Sequence, residues 1–442
     1  MKYFLEGEKV GLKKLTLEEA TQKYVDWMND MEVTKYLVSG SFPSDVEDIR
    51  EYIKKANGPN VVSFAIYEKS TDRHIGNVKL DKIDWISRKA EFGIMIGDKS
   101  CWGKGYGTET TRLILKYAFD ILNLEKINLG VVAENTPAYK TYKKLGFIEE
   151  GRRQNEQFID GSYHDTIIMG ITKKRWRAFN TLIGAIIQVR TSSSRLPGKA
   201  LLPLKGVPSF LRVYERVRRS KILKNIVIAT SIDKSDDEIE KICIENNIEV
   251  FRGSLNDVLD RYYQTAKHYG FDAIVRITAD CPLIDPEVVD ECIKTYLDNI
   301  EKVEYVSNVD ERTFPDGFDV EIFSFKALER AHEEAIDPFD REHVTPFIRR
   351  SSIKRTIYQN VDLSDLRLTL DYEEDYNLIR EIYEKIDKDF ITTEDIYRFL
   401  VKNEDKILIS HRIQKEEERK KVKKKLINGM KKLLQMWEVN TA

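Results

Sequence analysis

The stretch IGAIIQVRTSSSRLPGK, from Ile183 to Lys199, constrains this chain more than any other. It begins as a short apolar run, Ile183 to Val189, which reads as a strand buried on both faces. It then breaks into a small-residue loop that carries three cations, Arg190, Arg195 and Lys199, with Ser193 and Ser194 between them. Cations spaced along such a loop after a strand can wrap a polyphosphate. The loop is not a P-loop. That pattern needs Gly at 193 and Ser or Thr at 200, where this chain has Ser193 and Ala200. A solvated basic loop is the alternative, but the density of Arg, Ser and Gly directly after a buried strand favours a phosphate site.

Downstream, strand-like and helix-like patterns alternate. Helices are expected over 209–219, 236–246, 258–268 and 287–297, and strands over 226–230, 249–251 and 273–277. The alternation predicts a doubly wound, mostly parallel sheet, with ligands at the carboxyl ends of its strands. Three acidic features are expected at strand ends: Asp280; Asp371, after a run 366–370; and Asp316, Asp319 and Glu321 in FPDGFDVE. Two carboxylates meeting a triphosphate would hold Mg²⁺, so Asp280 and Asp371 are the candidate metal ligands. Asp285, before Pro286, reads as a helix cap. The tail 413–442 places Val422, Leu426, Met430, Leu433 and Trp437 at helical spacing, as a docking or dimer helix rather than a membrane anchor.

A chain of 442 residues implies two or three domains. A formal net charge of −2 gives no whole-chain case for nucleic-acid binding. The four cysteines lack metal-ligand spacing and suit reduced thiols. Lys2 and Glu6 interrupt any signal-like apolar run, and no segment approaches about 18 apolar residues. A cytoplasmic protein without a membrane span is expected.

Before residue 178 lies a second complete pattern. Val10 to Leu15 reads as an edge strand, 17–28 and 46–56 as helices with Ser44 as a cap, and 63–67, 74–83 and 90–96 as strands. Gly76 and Gly93 mark bulges or close backbone approach. Trp102-Gly103-Lys104-Gly105-Tyr106-Gly107-Thr108 then precedes a helix over 110–122. Its glycines let amides turn inward at a helix N-terminus, which makes an anion cradle. Ala133 to Phe147 follows as strand end, short helix and Gly-Phe.

Together the last two stretches resemble the GNAT N-acyltransferase superfamily over most of residues 1–175, near its ribosomal-protein-alanine and aminosugar acetyltransferase branches. The resemblance implies that Trp102 to Thr108 bind the pyrophosphate of acetyl-CoA. It places Asn135 and Tyr142 beside the pantetheine arm, with Tyr142 protonating the leaving thiolate and Glu91 taking the amine proton. A packed tyrosine and a solvent-facing glutamate are the alternatives. Trp102 departs from the Gln or Arg often found there.

The blocks Gln188 to Leu201, Asp280 to Pro286, Pro315 to Phe323 and Arg341 to Pro346 resemble the spore-coat-polysaccharide cytidylyltransferases, relatives of the enzymes that make CMP-sugar acids. Many relatives have Gly where Ala279 stands. The resemblance implies attack of a 2-keto sugar acid on the α-phosphorus of CTP. Arg190, Arg195 and Lys199 would neutralise the triphosphate. Asp257 and Arg261 would border the nucleoside, with a helix cap as the competing role for Asp257. Asp316, Asp319 and Glu321 would meet the sugar. Arg341 and His343 would approach its carboxylate, although His343 equally suits a structural histidine.

The fold class expected is therefore α/β with two domains: a GNAT-type fold over 1–178 and a doubly wound, Rossmann-like nucleotidyltransferase fold over 182–412. The function expected is bifunctional synthesis of a surface glycan. One half acetylates an aminosugar nucleotide and the other activates a nonulosonic acid, with a homodimer as the assembly. Alternatively the first half acetylates a protein N-terminus, or is an inactive binding module.

Overall fold

β-branched and aromatic runs in the first 180 residues pair into one long sheet. In the computed structural model, which describes residues 2–411 and 413–441, the chain divides between Asn180 and Thr181 into two compact units. The strands of the first unit are β1 (Leu5–Glu6), β2 (Val10–Lys14), β3 (Val62–Glu68), β4 (Arg73–Asp84), β5 (Lys89–Ile96), β6 (Lys126–Val132), β7 (Ile148–Ile159) and β8 (Ser162–Thr172). Their order is β1-β2-β3-β4-β5-β6-β8-β7, and only the β5–β6 pair is parallel. Ile114, Leu115, Ala118 and Phe119 pack on Leu80, Ile127 and Met169 to form the main core. Tyr24, Trp27, Ile49 and Ile53 build a second one.

Several expectations shift by local chemistry. The helix over 17–28 splits, because Thr16 and Glu19 close a capping box around the turn Leu17–Glu19 before Gln22–Asn29 begins. Asp45, not Ser44, caps Val46–Lys55, accepting from the amides of Glu47 and Asp48. The helix expected at 110 starts at Tyr106 and ends in a π turn, Tyr117–Ile121. A Cβ on Gly76 would lie 2.2 Å from the Met95 carbonyl oxygen, so that glycine permits a close approach. One on Gly93 meets only ordinary contacts.

In the second unit the strands are β9 (Ile183–Gln188), β10 (Pro203–Leu204), β11 (Val207–Pro208), β12 (Asn225–Ser231), β13 (Val250–Gly253), β14 (Ala273–Thr278), β15 (Tyr305–Ser307), β16 (Glu321–Ser324) and β17 (Lys354–Thr356). The main sheet runs β13-β12-β9-β14-β16-β15-β17. β13, β12, β9 and β14 are mutually parallel. β16 runs antiparallel to both β14 and β15. Apolar cores cover both faces: Ile187, Val275 and Phe210 on one, Ile186, Ile274 and Tyr262 on the other. β16 reverses direction, so the loop before it, with Asp316 and Asp319, reaches the carboxyl end of β14. The run 366–370 is not a strand. It is held by bridges at Leu366 and Arg367 and by the Leu370 amide, which donates to the Asp280 carbonyl at 2.7 Å.

The helix Glu416–Thr441 docks on its own unit. Leu426, Ile427, Met430, Leu433 and Leu434 are buried, and Trp437 stacks on Tyr397 with centroids 5.9 Å apart. The boundary expected at Arg412 lies outside the described residues.

Gly317 adopts φ +110°, and a Cβ there would lie 2.5 Å from the Leu368 carbonyl. Gly317→Ala is expected to destabilise the second unit by about 2 kcal/mol or more. A urea transition unchanged from the parent chain would contradict that.

Candidate active sites

The carboxyl ends of β9 and β14 bring one lysine between two carboxylates. Lys199 Nζ stands 3.1 Å from Asp280 Oδ2 and 2.8 Å from Asp371 Oδ1, and it also donates to the Leu370 carbonyl at 2.8 Å. Arg195 Nη1 reaches the other oxygen of Asp371 at 3.0 Å. Burial alone would lower the lysine's pKa, but the two aspartates outweigh it and hold the ammonium above its ordinary value. Burial pushes Asp280 up, whereas Lys199 and the Thr278 hydroxyl more than reverse this and keep it below the usual carboxylate range. Asp316 goes the other way: burial raises it, and the charges of Asp280 and Asp371 add to the effect.

The cationic loop is pinned from below by a residue with no sign of that role in the sequence beyond its place before a helix. Asp236, fully buried, accepts from the Thr191 amide and hydroxyl, each at 2.8 Å, and from Ser231. Arg190, Ser194 and Arg195 are exposed, and the Ser193 amide closes on the Thr191 carbonyl. A second hub, Arg367, binds Asp375 through two nitrogens and Asp316 at 3.4 Å. Asp375 in turn accepts from the Asp371 and Tyr372 amides, which fixes Asp371 from behind.

Other expected residues are employed elsewhere. Glu321 is buried against Arg276 and the Tyr305 hydroxyl, a core ion pair rather than a sugar contact. Arg341 spends all three nitrogens on Asp257 and on the His332 and Ala335 carbonyls, so it clamps two helices and is not free for a sugar carboxylate. Asp257 caps Val258–Tyr269 by accepting from the Asp260 amide. Arg261 is 1% exposed and donates to the Ser254 carbonyl, close under the rim of a pocket lined by Gly253 and Ser254. Asp319 takes two bonds from Arg312, at 2.7 and 2.6 Å. His343 is exposed, edge-on to Phe339. After it, buried Val344 has φ +68°, a conformation that β-branched residues seldom adopt. Asp285 is a cap, accepting from Glu287.

Among the described residues no three Asp, Glu, His or Cys side chains cluster tightly enough to hold a metal ion by themselves. Asp280 and Asp371 share one cation, however. Such a pair fits an ion that takes its remaining ligands from substrate phosphate and water.

In the first unit, β5 and β6 pair only at Lys89–Lys126, Ala90–Ile127 and Glu91–Asn128, and are unpaired beyond. Beyond that point the two strands no longer serve each other as backbone partners. Glu91 stands at the point of parting, half-exposed and 2.8 Å from Lys82. Gly103 (φ +72°) and Gly105 (φ +88°) lead into the helix Tyr106–Lys116, whose first turn has no side-chain cap, and a Cβ on either meets nothing within 4 Å. Those free amides and that open surface fit a pyrophosphate. Lys104 is exposed, Thr108 lies on the first turn, and Trp102 donates to the Ile96 carbonyl at 2.7 Å. The Tyr106 hydroxyl is committed to Glu68, whose carboxyl is held near 2 by Thr71, Tyr106 and Arg73. Tyr106 therefore offers its amide alone. Asn135 caps Thr136–Lys144 through the Ala138 amide. Tyr142 is buried against Phe92 and Phe147, and burial pushes its pKa up to about 12.

Residues 184–425 match the family described as Cytidylyltransferase, and residues 9–148 the Acetyltransferase (GNAT) domain. The chain belongs to both families. It is an acetyltransferase and a cytidylyltransferase in one polypeptide. Its second half is 32% identical to the spore coat polysaccharide biosynthesis protein SpsF of Bacillus subtilis, over 50% of this chain and 94% of that one. It also matches the structure of a cytidylyltransferase from Leptospira borgpetersenii at 35% identity and TM-score 0.50, covering 52% of this chain and 97% of that one. The first half is 32% identical to the spermidine N(1)-acetyltransferase of Vibrio cholerae, over 37% of this chain and 95% of the relative.

Lys199→Met would leave Asp280 and Asp371 facing each other with Arg195, on the far oxygen of Asp371, as the remaining cation. It is expected to destabilise the second unit by about 1–3 kcal/mol at pH 7. Asp280, held low in the parent, contributes stability above pH 3.8 that persists until its folded pKa is crossed. The deficit should therefore shrink as the pH falls through 3.8 toward the folded pKa of Asp280. Urea midpoints across about pH 2–7 measure this, and a deficit independent of pH would refute the clamp.

Proposed function

We propose that residues 182–412 join CTP to a 2-keto sugar acid of the nonulosonic class, of pseudaminic or legionaminic type. Residues 1–178 N-acetylate an aminosugar nucleotide of the same pathway. The observation that carries the reading is the Lys199 cluster at the carboxyl end of the parallel strands. There Arg195 and Lys199 stand where two carboxylates meet, while Arg190, on the same loop, pairs with Glu342 at 3.5 Å. In the reaction the anomeric hydroxyl attacks the α-phosphorus, the bond to the β-phosphate oxygen breaks, and pyrophosphate leaves. Lys199 and Arg195 neutralise the triphosphate and the departing pyrophosphate. Asp316 and Asp319, held by Arg367 and Arg312, border the sugar. Asp280 and Asp371 would hold Mg²⁺, which when bound supplies charge stabilisation at the phosphates. The small-molecule substrates, the homodimer and a cytoplasmic location belong to the same proposal.

In the first unit the glycine cradle binds the pyrophosphate of acetyl-CoA, and the gap between β5 and β6 receives its extended arm. Tyr142, its proton held firmly by burial, supplies that proton to the leaving sulfur. Glu91 at the mouth of the gap takes the proton of the acceptor amine, directly or through water. The similarity to SpsF and the sharing of one chain with a sugar-nucleotide chemistry support an aminosugar acceptor. The Vibrio cholerae relative gives polyamines a place in the same test.

The central experiment is a screen of CTP-dependent pyrophosphate release over a panel of 2-keto sugar acids. A parallel assay sets acetyl-CoA turnover against an aminosugar nucleotide, a peptide N-terminus and spermidine. No release with any 2-keto acid would overturn the first half of the proposal, and acetylation of spermidine or peptide alone the second.

Tyr142→Phe is expected to slow acetyl transfer by about 100-fold with acetyl-CoA affinity little changed. An unaltered turnover number, with chemistry rate-limiting, removes Tyr142 from the mechanism. Lys199→Ala and Asp371→Asn should both cripple CMP-sugar formation. Raising Mg²⁺ should restore part of the Asp371→Asn activity and little of the other, because an amide keeps the shape but loses the charge that holds a hard cation. Identical Mg²⁺ responses would show that Asp371 is not a metal ligand.

A further inference from the structure

The helix Ser209–Val217 and the segment 383–391 enclose a cavity of about 430 Å³ that shares no residue with the Lys199 cluster. Six of its eleven lining residues are Lys or Arg, and two are acidic. Arg216 forms its floor. The side chain is 3% exposed; Nε donates to the Ile284 carbonyl at 2.6 Å and Nη1 to the Ile391 carbonyl at 2.7 Å. Nη2 has no hydrogen-bond partner, and among the described residues no carboxylate pairs with this guanidinium. Burial pulls its pKa down, and nearby Tyr383 and Asp285 oppose this only in part. An anion in the cavity would supply the remaining compensating charge.

The neighbours are arranged for the same occupant. Phe390 carries the Arg216 guanidinium 4.8 Å from its centroid and that of Arg219 at 4.2 Å. Stacking on the ring leaves the N–H edges free for an oxyanion in plane. Arg219 is exposed and, among the described residues, has no ion-pair partner. Arg212 is already satisfied by Glu215 and the Leu204 carbonyl, and Lys388 by Asp395. Lys205 pairs with Asp387 at 3.5 Å. The unmet demand therefore falls on Arg216, Arg219 and the equally exposed Arg218, the first two of them against one ring.

We propose that this cavity is a second anion site, built for a small phosphorylated ligand of the diphosphate class. The site is also joined to each member of the catalytic cluster. Ser209, at the start of the arginine-bearing helix, donates to the Lys199 carbonyl at 2.7 Å. Arg216 and the Tyr383 hydroxyl hold the Ile284 and Pro282 carbonyls in the loop after Asp280. The helix that carries Tyr383, Glu373–Lys385, begins two residues after Asp371.

Inorganic pyrophosphate is the probe, titrated calorimetrically into the full chain. Because the substrate site also accepts pyrophosphate, the comparison is made in a Lys199→Ala background. There, adding Arg219→Glu should remove one pyrophosphate site or weaken it by about tenfold or more, the worth of one charge-assisted contact. Arg219→Glu alone should leave CTP-dependent turnover within about twofold of the parent, since Arg219 is exposed and takes no part in catalysis. An isotherm in the Lys199→Ala background that Arg219→Glu leaves unchanged would overturn the proposal.

Discussion

The ammonium of Lys199, set between Asp280 and Asp371, is the interaction on which the second unit's chemistry depends. Two carboxylates this close repel each other unless a cation stands between them. The lysine supplies it, and so allows strand end and loop to converge without a bound ligand. The same charge also faces the place proposed for a triphosphate. The cluster is thus poised between two sets of anions, its own and the substrate's. The surrounding residues make that poise rigid. Asp375 fixes Asp371 through its backbone, Asp236 fixes the cationic loop, and the Leu370 amide ties one acidic segment to the other.

In the first unit the corresponding constraint is an absence of pairing. β5 and β6 begin as parallel neighbours and part after Glu91 and Asn128. The sheet remains a single body because β6 continues on β8, and β5 on β4, along their lengths. The cradle is backbone at a helix N-terminus, and glycine takes without strain the two left-handed turns that open it.

Much of this was readable in the sequence, for a physical reason. The strand β9, its cationic loop and the glycine turn are contiguous stretches, and contiguous chemistry is visible in a linear string. The parallel half of the sheet followed from alternation. Partner choice across distance was not legible. Arg341 and Asp257 lie 84 residues apart, and nothing in either segment says that each satisfies the other. Glu321 sits in an acidic motif with Asp316 and Asp319, yet strand alternation turns it into the core, where Arg276 on the adjacent strand meets it. The strand expected before Asp371 does not form. The position of Asp371 comes instead from hydrogen bonds to residues near Asp280 and Asp316, which no local pattern records. In the sequence Lys199 shows only its phosphate-binding side, because its carboxylate partners are 81 and 172 residues away.

The parting of β5 and β6 has a mechanical consequence. Two strand edges that no longer pair with each other are an unfinished sheet. An extended molecule with amides of its own, lying in that gap, would act as a strut between the halves. The cosubstrate would then be part of the architecture while bound. The unit's resistance to heat would follow the supply of that molecule, increasing as RT ln(1 + [L]/Kd), and departure of the spent carrier would loosen the fold that held it.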